Sequence, residues 1–125
     1  MGIDRLVVVG AGLAGTRAAV AARKAGFEGT LTVIGDEPHD PYTRPPLSKQ
    51  VLSGEHDVDR VVLPGRDQAG ADWQLGVAAA AVDRDRKVVE LADGRELPYD
   101  RLVLAPGSRA RAWPGDPVPD GVVTL

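Results

Sequence analysis

Three glycines spaced Gly10-x-Gly12-x-x-Gly15 lie between an apolar run and a run of helix formers, and no other feature limits the fold as tightly. Residues 5–9, Arg-Leu-Val-Val-Val, are rich in β-branched side chains and lack polar alternation. Such a run suits a strand buried on both faces, as in a parallel sheet. From Leu13 to Ala25 helix formers dominate, with Leu13, Ala14, Ala18, Ala21, Ala22 and Ala25 spaced to give one small-residue face. Lys24 in the last turn and Gly26 just beyond it are stop signals. Thr30 to Ile34 reads as a second buried strand, completing a βαβ unit with a right-handed crossover.

Each glycine then has its own task. Gly10 permits a tight turn, Gly12 lets a backbone approach a pyrophosphate with no Cβ in the way, and Gly15 lets helix and strand pack closely. The helix N-terminus offers unpaired N–H groups and the positive end of its dipole to phosphates. Asp36 follows 21 residues after Gly15, at the end of the second strand, where a carboxylate can accept from a ribose hydroxyl. Glu37 is a second candidate for that ribose, or a solvated loop acid. The pattern points to a dinucleotide, against the alternative of a purely structural turn.

The rest of the chain is less regular. Residues 35–48 hold four prolines and exclude a long element. A short helix is expected with Ser48 as N-cap, ending near Gly54. Residues 55–72 are charged and turn-rich and give no clear element. Gln74 to Val82 reads as a strand, although its four alanines also allow a helix. Residues 87–91 and 95–97 flank Ala92-Asp93-Gly94 and form a hairpin, because Asp-Gly supplies the positive φ of a tight turn. Arg101 to Leu104 is a further buried strand, and Asp100 before it a cap or turn residue. The fold class is therefore α/β: a Rossmann-like βαβ unit in a parallel sheet, plus a small antiparallel hairpin.

Composition removes several function classes. A net charge of -3 gives no basic footprint for nucleic acid or for an anionic membrane. With no cysteine there is no disulfide, no Cys-ligated zinc and no redox dithiol. His39 and His56 have no second ligand at metal spacing, so no metal site is expected. No apolar run approaches a membrane span, and the apolar run near the N-terminus has no basic segment before it. The expectation is a cytoplasmic domain. Trp73 and Trp113 read as packing anchors, and Arg44, held extended before Pro45, could pair with Asp40.

Four stretches taken together resemble a known family. Val-Val-Val-Gly-Ala-Gly-Leu-Ala-Gly (7–15), Ile34-Gly35-Asp36-Glu37, Pro41-Tyr42-Thr43-Arg44-Pro45-Pro46-Leu47-Ser48-Lys49 and Tyr99-Asp100-Arg101-Leu102-Val103-Leu104-Ala105-Pro106-Gly107 look like the N-terminal part of the FAD-dependent NAD(P)H:ferredoxin, putidaredoxin and rubredoxin reductases, relatives of apoptosis-inducing factor. The Tyr-x-Arg-Pro-Pro-Leu-Ser-Lys stretch is far more specific than the glycine triplet. The resemblance implies that the first glycine-rich site holds FAD. Gly10, Gly12, Leu13, Ala14 and Gly15 would then line the pyrophosphate, and Asp36, with Glu37, the adenosine ribose. Arg44 would neutralise phosphate charge or brace the adenine end, and the backbone of Ala79 would touch the adenine. Lys49 would stand near flavin N5 as the catalytic cation, where a fixed positive charge stabilises electron-rich flavin. Ala105 and Gly107 belong to a turn that in the family reads Ala-Thr-Gly; Pro106 in place of Thr removes a hydroxyl and an N–H.

The resemblance also implies that residues 1–125 are the first part of a discontinuous FAD domain, incomplete relative to the family's full domain. Where the sequence reaches Val123-Thr124-Leu125 the family continues into a segment beginning with an FAD-contacting arginine, and its NAD(P)H-binding and C-terminal domains have no counterpart in these residues. NAD(P)H and a ferredoxin-type carrier would be partners of the longer parent only. Two other readings compete. A non-catalytic relative, or a subunit completed by another chain through an incomplete sheet, would explain the short length. A short-chain NAD dehydrogenase needs a Tyr-x-x-x-Lys pair, but Tyr42 is followed four residues on by Pro46 and Tyr99 by Val103.

Overall fold

A computed structural model of the chain describes residues 2–123, so Thr124 and Leu125 of the terminal expectation lie outside the described residues. In chain order the elements are β1 (Arg5–Val9), α1 (Leu13–Lys24), β2 (Thr30–Gly35), α2 (Arg66–Ala69), β3 (Asp72–Leu75), β4 (Ala79–Asp83), β5 (Val88–Leu91), β6 (Glu96–Pro98) and β7 (Arg101–Leu104). Two short 3-10 turns, Pro45–Ser48 and Val58–Val61, lie between β2 and α2. Strands β3-β2-β1-β7 form a four-stranded parallel sheet, and β4-β5-β6 a three-stranded antiparallel one. This is the α/β architecture that the sequence implies, with β1-α1-β2 as its first unit.

The parallel sheet is covered on both sides, which explains its continuous apolar strands. On one side Val8, Leu31 and Val33 pack with Ala19 of α1 and Ala69 of α2. On the other, Val7 and Ile34 pack with Val89, Leu91 and Tyr99 from the small sheet and the segment after it. Alternate residues of one strand thus serve different layers. Burying each of Val8, Val33 and Leu31 contributes about 1.5–3 kcal/mol.

The helix turns a different face inward from the one its alanines suggest. Gly15, Thr16 and Ala19 are the buried residues of α1, whereas Leu13, Ala14, Ala21 and Ala25 are exposed. Close approach decides this: a Cβ on Gly15 would lie 1.8 Å from the Gly10 carbonyl oxygen and 3.4 Å from Val8 Cγ1. The helix therefore rolls Gly15 and its i+4 neighbour Ala19 onto the sheet. Arg23, one turn further, donates to the carbonyls of Ala69, Phe27, Gly29 and Gly70 and ties α1 to both following loops.

Other expectations need correction. The turn at the proline pair begins at Pro45 and ends at Ser48 instead of starting there, because Pro45 and Pro46 preset φ at its first positions. Beyond it, Lys49 to Gly54 forms successive turns and no α-helix. The single strand over residues 74–82 is two strands in two sheets. Gly76, at φ +79°, turns the chain between them, so Gln74 pairs with Ile34 while Ala79 pairs with Leu91. The hairpin is as expected, with Val89 opposite Leu97. Trp73 packs against the helix-side core, whereas Trp113 is 49% exposed and its indole lies against Gly115 of its own loop.

Candidate dinucleotide-binding site

β1, β2 and β7 end at the same edge of the sheet, since Val9 is level with both Ile34 and Leu104. The loops that follow them enclose a cavity of about 370 Å³. Its walls come from residues 10–14 after β1, residues 35–37 after β2, the proline-rich segment 39–45, and residues 105–108 after β7. A crevice beyond the carboxyl ends of parallel strands is where ligands bind in open α/β sheets.

The glycines divide their tasks clearly. Gly10 has φ +107°, and a Cβ there would lie 1.9 Å from the carbonyl oxygen of Ala105. It is glycine for the sake of the protein itself, as is Gly15. Gly12 has an ordinary φ of -82°, and a Cβ there would meet no protein atom within 4 Å. Nothing in the chain requires a glycine at that point, and the space it leaves opens into the cavity. Gly12 is the N-cap of α1, with no side-chain cap and no acid in the first turn. The first-turn N–H groups have no intrahelical acceptor and suit an anion. The cradle fits a pyrophosphate.

Of the expected site residues, Gly10, Gly12, Leu13, Ala14, Asp36, Glu37, Arg44, Ala105 and Gly107 line this one cavity. Gly15 lies beneath it. Lys49 caps the 3-10 turn that begins at Pro45, outside the cavity. Ala79 opens β4, also outside, but the segment leading to it is tied to the end of β2: Gly76 N–H donates to the Glu37 carbonyl and Val77 N–H to that of Gly35.

Charges at the mouth are arranged in pairs. Arg44 bonds to Glu37, whose other oxygen accepts from the Tyr42 hydroxyl; Asp40, the alternative partner the sequence offers Arg44, pairs with Arg66. Tyr42 titrates above its ordinary range, because its hydrogen bond to Glu37 and partial burial both favour the protonated phenol. Asp36 is exposed, with Arg109 Nη2 at 3.5 Å from its Oδ2. Sequence reasoning singled out neither Tyr42 as a contact of Glu37 nor Arg109. Arg109 comes from the loop after β7, 73 residues away, and has no local signature. Among the described residues no group of three His, Cys, Asp or Glu side chains could hold a metal ion, and no helix is long and apolar enough to cross a membrane.

A profile described as pyridine nucleotide-disulphide oxidoreductase matches residues 4–124. The chain belongs to that family. Similar curated proteins include rhodocoxin reductase from Rhodococcus erythropolis, 43% identical over 112 residues that make up 87% of this chain and 26% of that protein. Putidaredoxin reductase from Pseudomonas putida is 44% identical over 114 residues, covering 89% of this chain and 27% of its own. The reductase in the crystal structure of a covalent putidaredoxin reductase–putidaredoxin complex superposes with a TM-score of 0.84 at 41% identity, again over 89% of this chain and 27% of that one. The chain thus spans about a quarter of the length of these relatives. It resembles the N-terminal part of ferredoxin reductases, flavoprotein oxidoreductases whose cofactor is FAD.

Proposed function

We propose that this chain is the N-terminal part of a discontinuous FAD-binding domain, serving a flavoenzyme that passes electrons from NAD(P)H to a ferredoxin-type carrier. The observation that carries the reading is the open cradle at Gly12 above the uncapped start of α1, in a chain of this family. When bound, FAD supplies the exchange between a two-electron hydride donor and a one-electron carrier. The chain's own residues do the holding. The N–H groups of residues 12–15 receive the pyrophosphate, and Asp36 accepts from the adenosine ribose. Arg44 balances phosphate charge, and the backbone near Ala79 flanks the adenine. Lys49 places a positive charge beside the isoalloxazine, as the resemblance implies.

The test is a visible spectrum of the purified, desalted chain, with chromatography of what heat releases. Stoichiometric FAD supports the reading, and no NADH-driven dye reduction is expected from the chain alone. Binding of NADH without FAD would overturn it. A second reading, completion of the sheet by another chain, is favoured by the free edge of β7 and by Leu104, which is 63% exposed. Size-exclusion chromatography giving a stable monomer would count against that reading.

A further inference from the structure

A carboxylate next to Asp36 at the end of β2 has two possible uses: it can accept from a ribose, or it can act as counter-ion to a nearby cation. Glu37 has both oxygens engaged by its own chain. Oε1 accepts from Arg44 Nη2 at 2.5 Å, and Oε2 accepts from the Tyr42 hydroxyl at 2.5 Å. The third side of the triangle is the Arg44 guanidinium over the Tyr42 ring, 5.6 Å from its centroid. The three groups close on one another.

Their backbone is fixed from outside the triangle. Thr43 N–H donates to the Val61 carbonyl and Leu63 N–H to that of Pro41, while Tyr42 and Val62 form an antiparallel bridge. Pro41 is fully buried. Gly76 N–H holds the carbonyl of Glu37. The segment carrying Tyr42 and Arg44 is therefore docked on residues 61–63, and the one carrying Glu37 on the turn at Gly76 that follows β3. The side-chain bonds then join two supports that are already in place.

We infer that Glu37 and Tyr42 are positioning residues that hold the Arg44 guanidinium ready for a phosphate of the dinucleotide, leaving Asp36 as the ribose acceptor. This rests on the FAD reading above. An arginine side chain carries about 2 kcal/mol of rotamer entropy, which a ligand must otherwise remove on binding. Ordering the guanidinium in the fold removes that cost from the binding step. A guanidinium has five N–H donors, and only one of them meets Glu37, so its fork keeps donors for a second anion. The Arg44 side chain is 66% exposed, which leaves that fork accessible from the cavity it lines. Asp36, by contrast, meets a single guanidinium nitrogen at 3.5 Å and has an oxygen to spare. The apparent objection is that a carboxylate near a phosphate repels it. Paired with Arg44 the Glu37 charge is balanced, and loss of the pair frees the arginine to wander.

A double-mutant cycle on FAD affinity, read by quenching of flavin fluorescence, separates these roles. Arg44→Met is expected to weaken FAD binding. Glu37→Ala is expected to weaken it roughly tenfold when Arg44 is present, the size of coupling usual within one ion-pair network, and to have almost no effect in the Arg44→Met background. Tyr42→Phe, which removes one hydroxyl and keeps the ring, should show the same dependence at smaller amplitude. Asp36→Asn should weaken binding equally in both backgrounds. A Glu37→Ala effect that persists without Arg44 would make Glu37 a ribose ligand and overturn the inference, as would tighter binding on its removal. Absence of FAD binding by the unmutated chain would instead sink the cofactor reading, and this inference with it. Circular dichroism of each variant separates lost binding from lost folding, and Tyr42→Phe keeps the test decisive if Glu37→Ala fails to fold.

Discussion

The carbonyl oxygen of Ala105 fills the space that a side chain on Gly10 would need, 1.9 Å from where its Cβ would lie. The turn after β1 and the turn after β7 are thus fitted against each other, and residues from both line the cavity. Gly10→Ala must adopt a positive φ and displace backbone, so it should cost roughly 2–5 kcal/mol of stability. Gly12→Ala meets neither obstacle and should cost at most about 1 kcal/mol, as a poorer N-cap. Its effect should fall on FAD, with affinity reduced at least about tenfold, one bond-sized loss. Urea unfolding and FAD titration of the two variants check the contrast. Equal destabilisation by both would remove the distinction between a structural and a ligand-facing glycine.

That contrast also marks what the sequence makes legible. The glycine spacing, the apolar runs and Asp36 at the second strand's end are local signals, and the βαβ unit and the cavity floor follow from them. Which face of α1 turns inward is not local: the alanines offer several, and contact of Gly15 with Gly10 selects one. The division of residues 74–82 between two sheets depends on Gly76 and on partners in β2 and β5 far along the chain. The sequence offers Arg44 a near neighbour in Asp40, whereas the folded loop presents Glu37 to it and gives Asp40 to Arg66. Pairings among exposed charges follow tertiary placement, which composition does not encode.

Arg23 should be the costliest charged residue to replace. Its guanidinium bonds to four carbonyls, those of Phe27, Gly29, Ala69 and Gly70, which have no comparable donor once it is gone. Arg23→Leu keeps the apolar stem and should lower stability by about 2–3 kcal/mol, in line with hydrogen bonds to a charged group. Arg23→Lys should recover only part of this, because an ammonium lacks the planar fork that spans several acceptors. Thermal midpoints rank the three proteins. A lysine variant as stable as the parent would show that charge alone suffices.

Asp100 ties the start of β7 to β1. Its Oδ1 accepts from Arg5 Nη2, and its Oδ2 from the N–H groups of Asp4 and Arg5. The Arg5 bond first, and then the two backbone donors, hold its carboxyl down at about 2, against an ordinary 3.8. A depressed folded value means the stabilisation is present above the ordinary value and is lost as pH falls from there towards 2. Stability measured by urea unfolding should therefore decline over that window with uptake of up to about one proton on unfolding at this site. Asp100→Asn should be less stable at neutral pH and show a shallower acid decline. An unchanged slope in the variant would place the acid sensitivity elsewhere.

Asp36 and Arg109 form an exposed pair at the cavity mouth, and magnitudes decide which of the two matters to a ligand. An ion pair 3.5 Å long, with the arginine side chain 91% exposed, is worth at most about 1 kcal/mol. Arg109→Gln should thus change FAD affinity by no more than about fivefold in either direction. Asp36→Asn removes a charged acceptor from the ribose hydroxyls, a contact worth about 1.5–3 kcal/mol, and should weaken FAD by at least about tenfold. FMN, which has no adenosine ribose, should bind the parent and the Asp36→Asn variant alike. If Arg109→Gln proves the more damaging change, the loop after β7 grips the ligand through its arginine, and Asp36 serves only to hold that arginine in place.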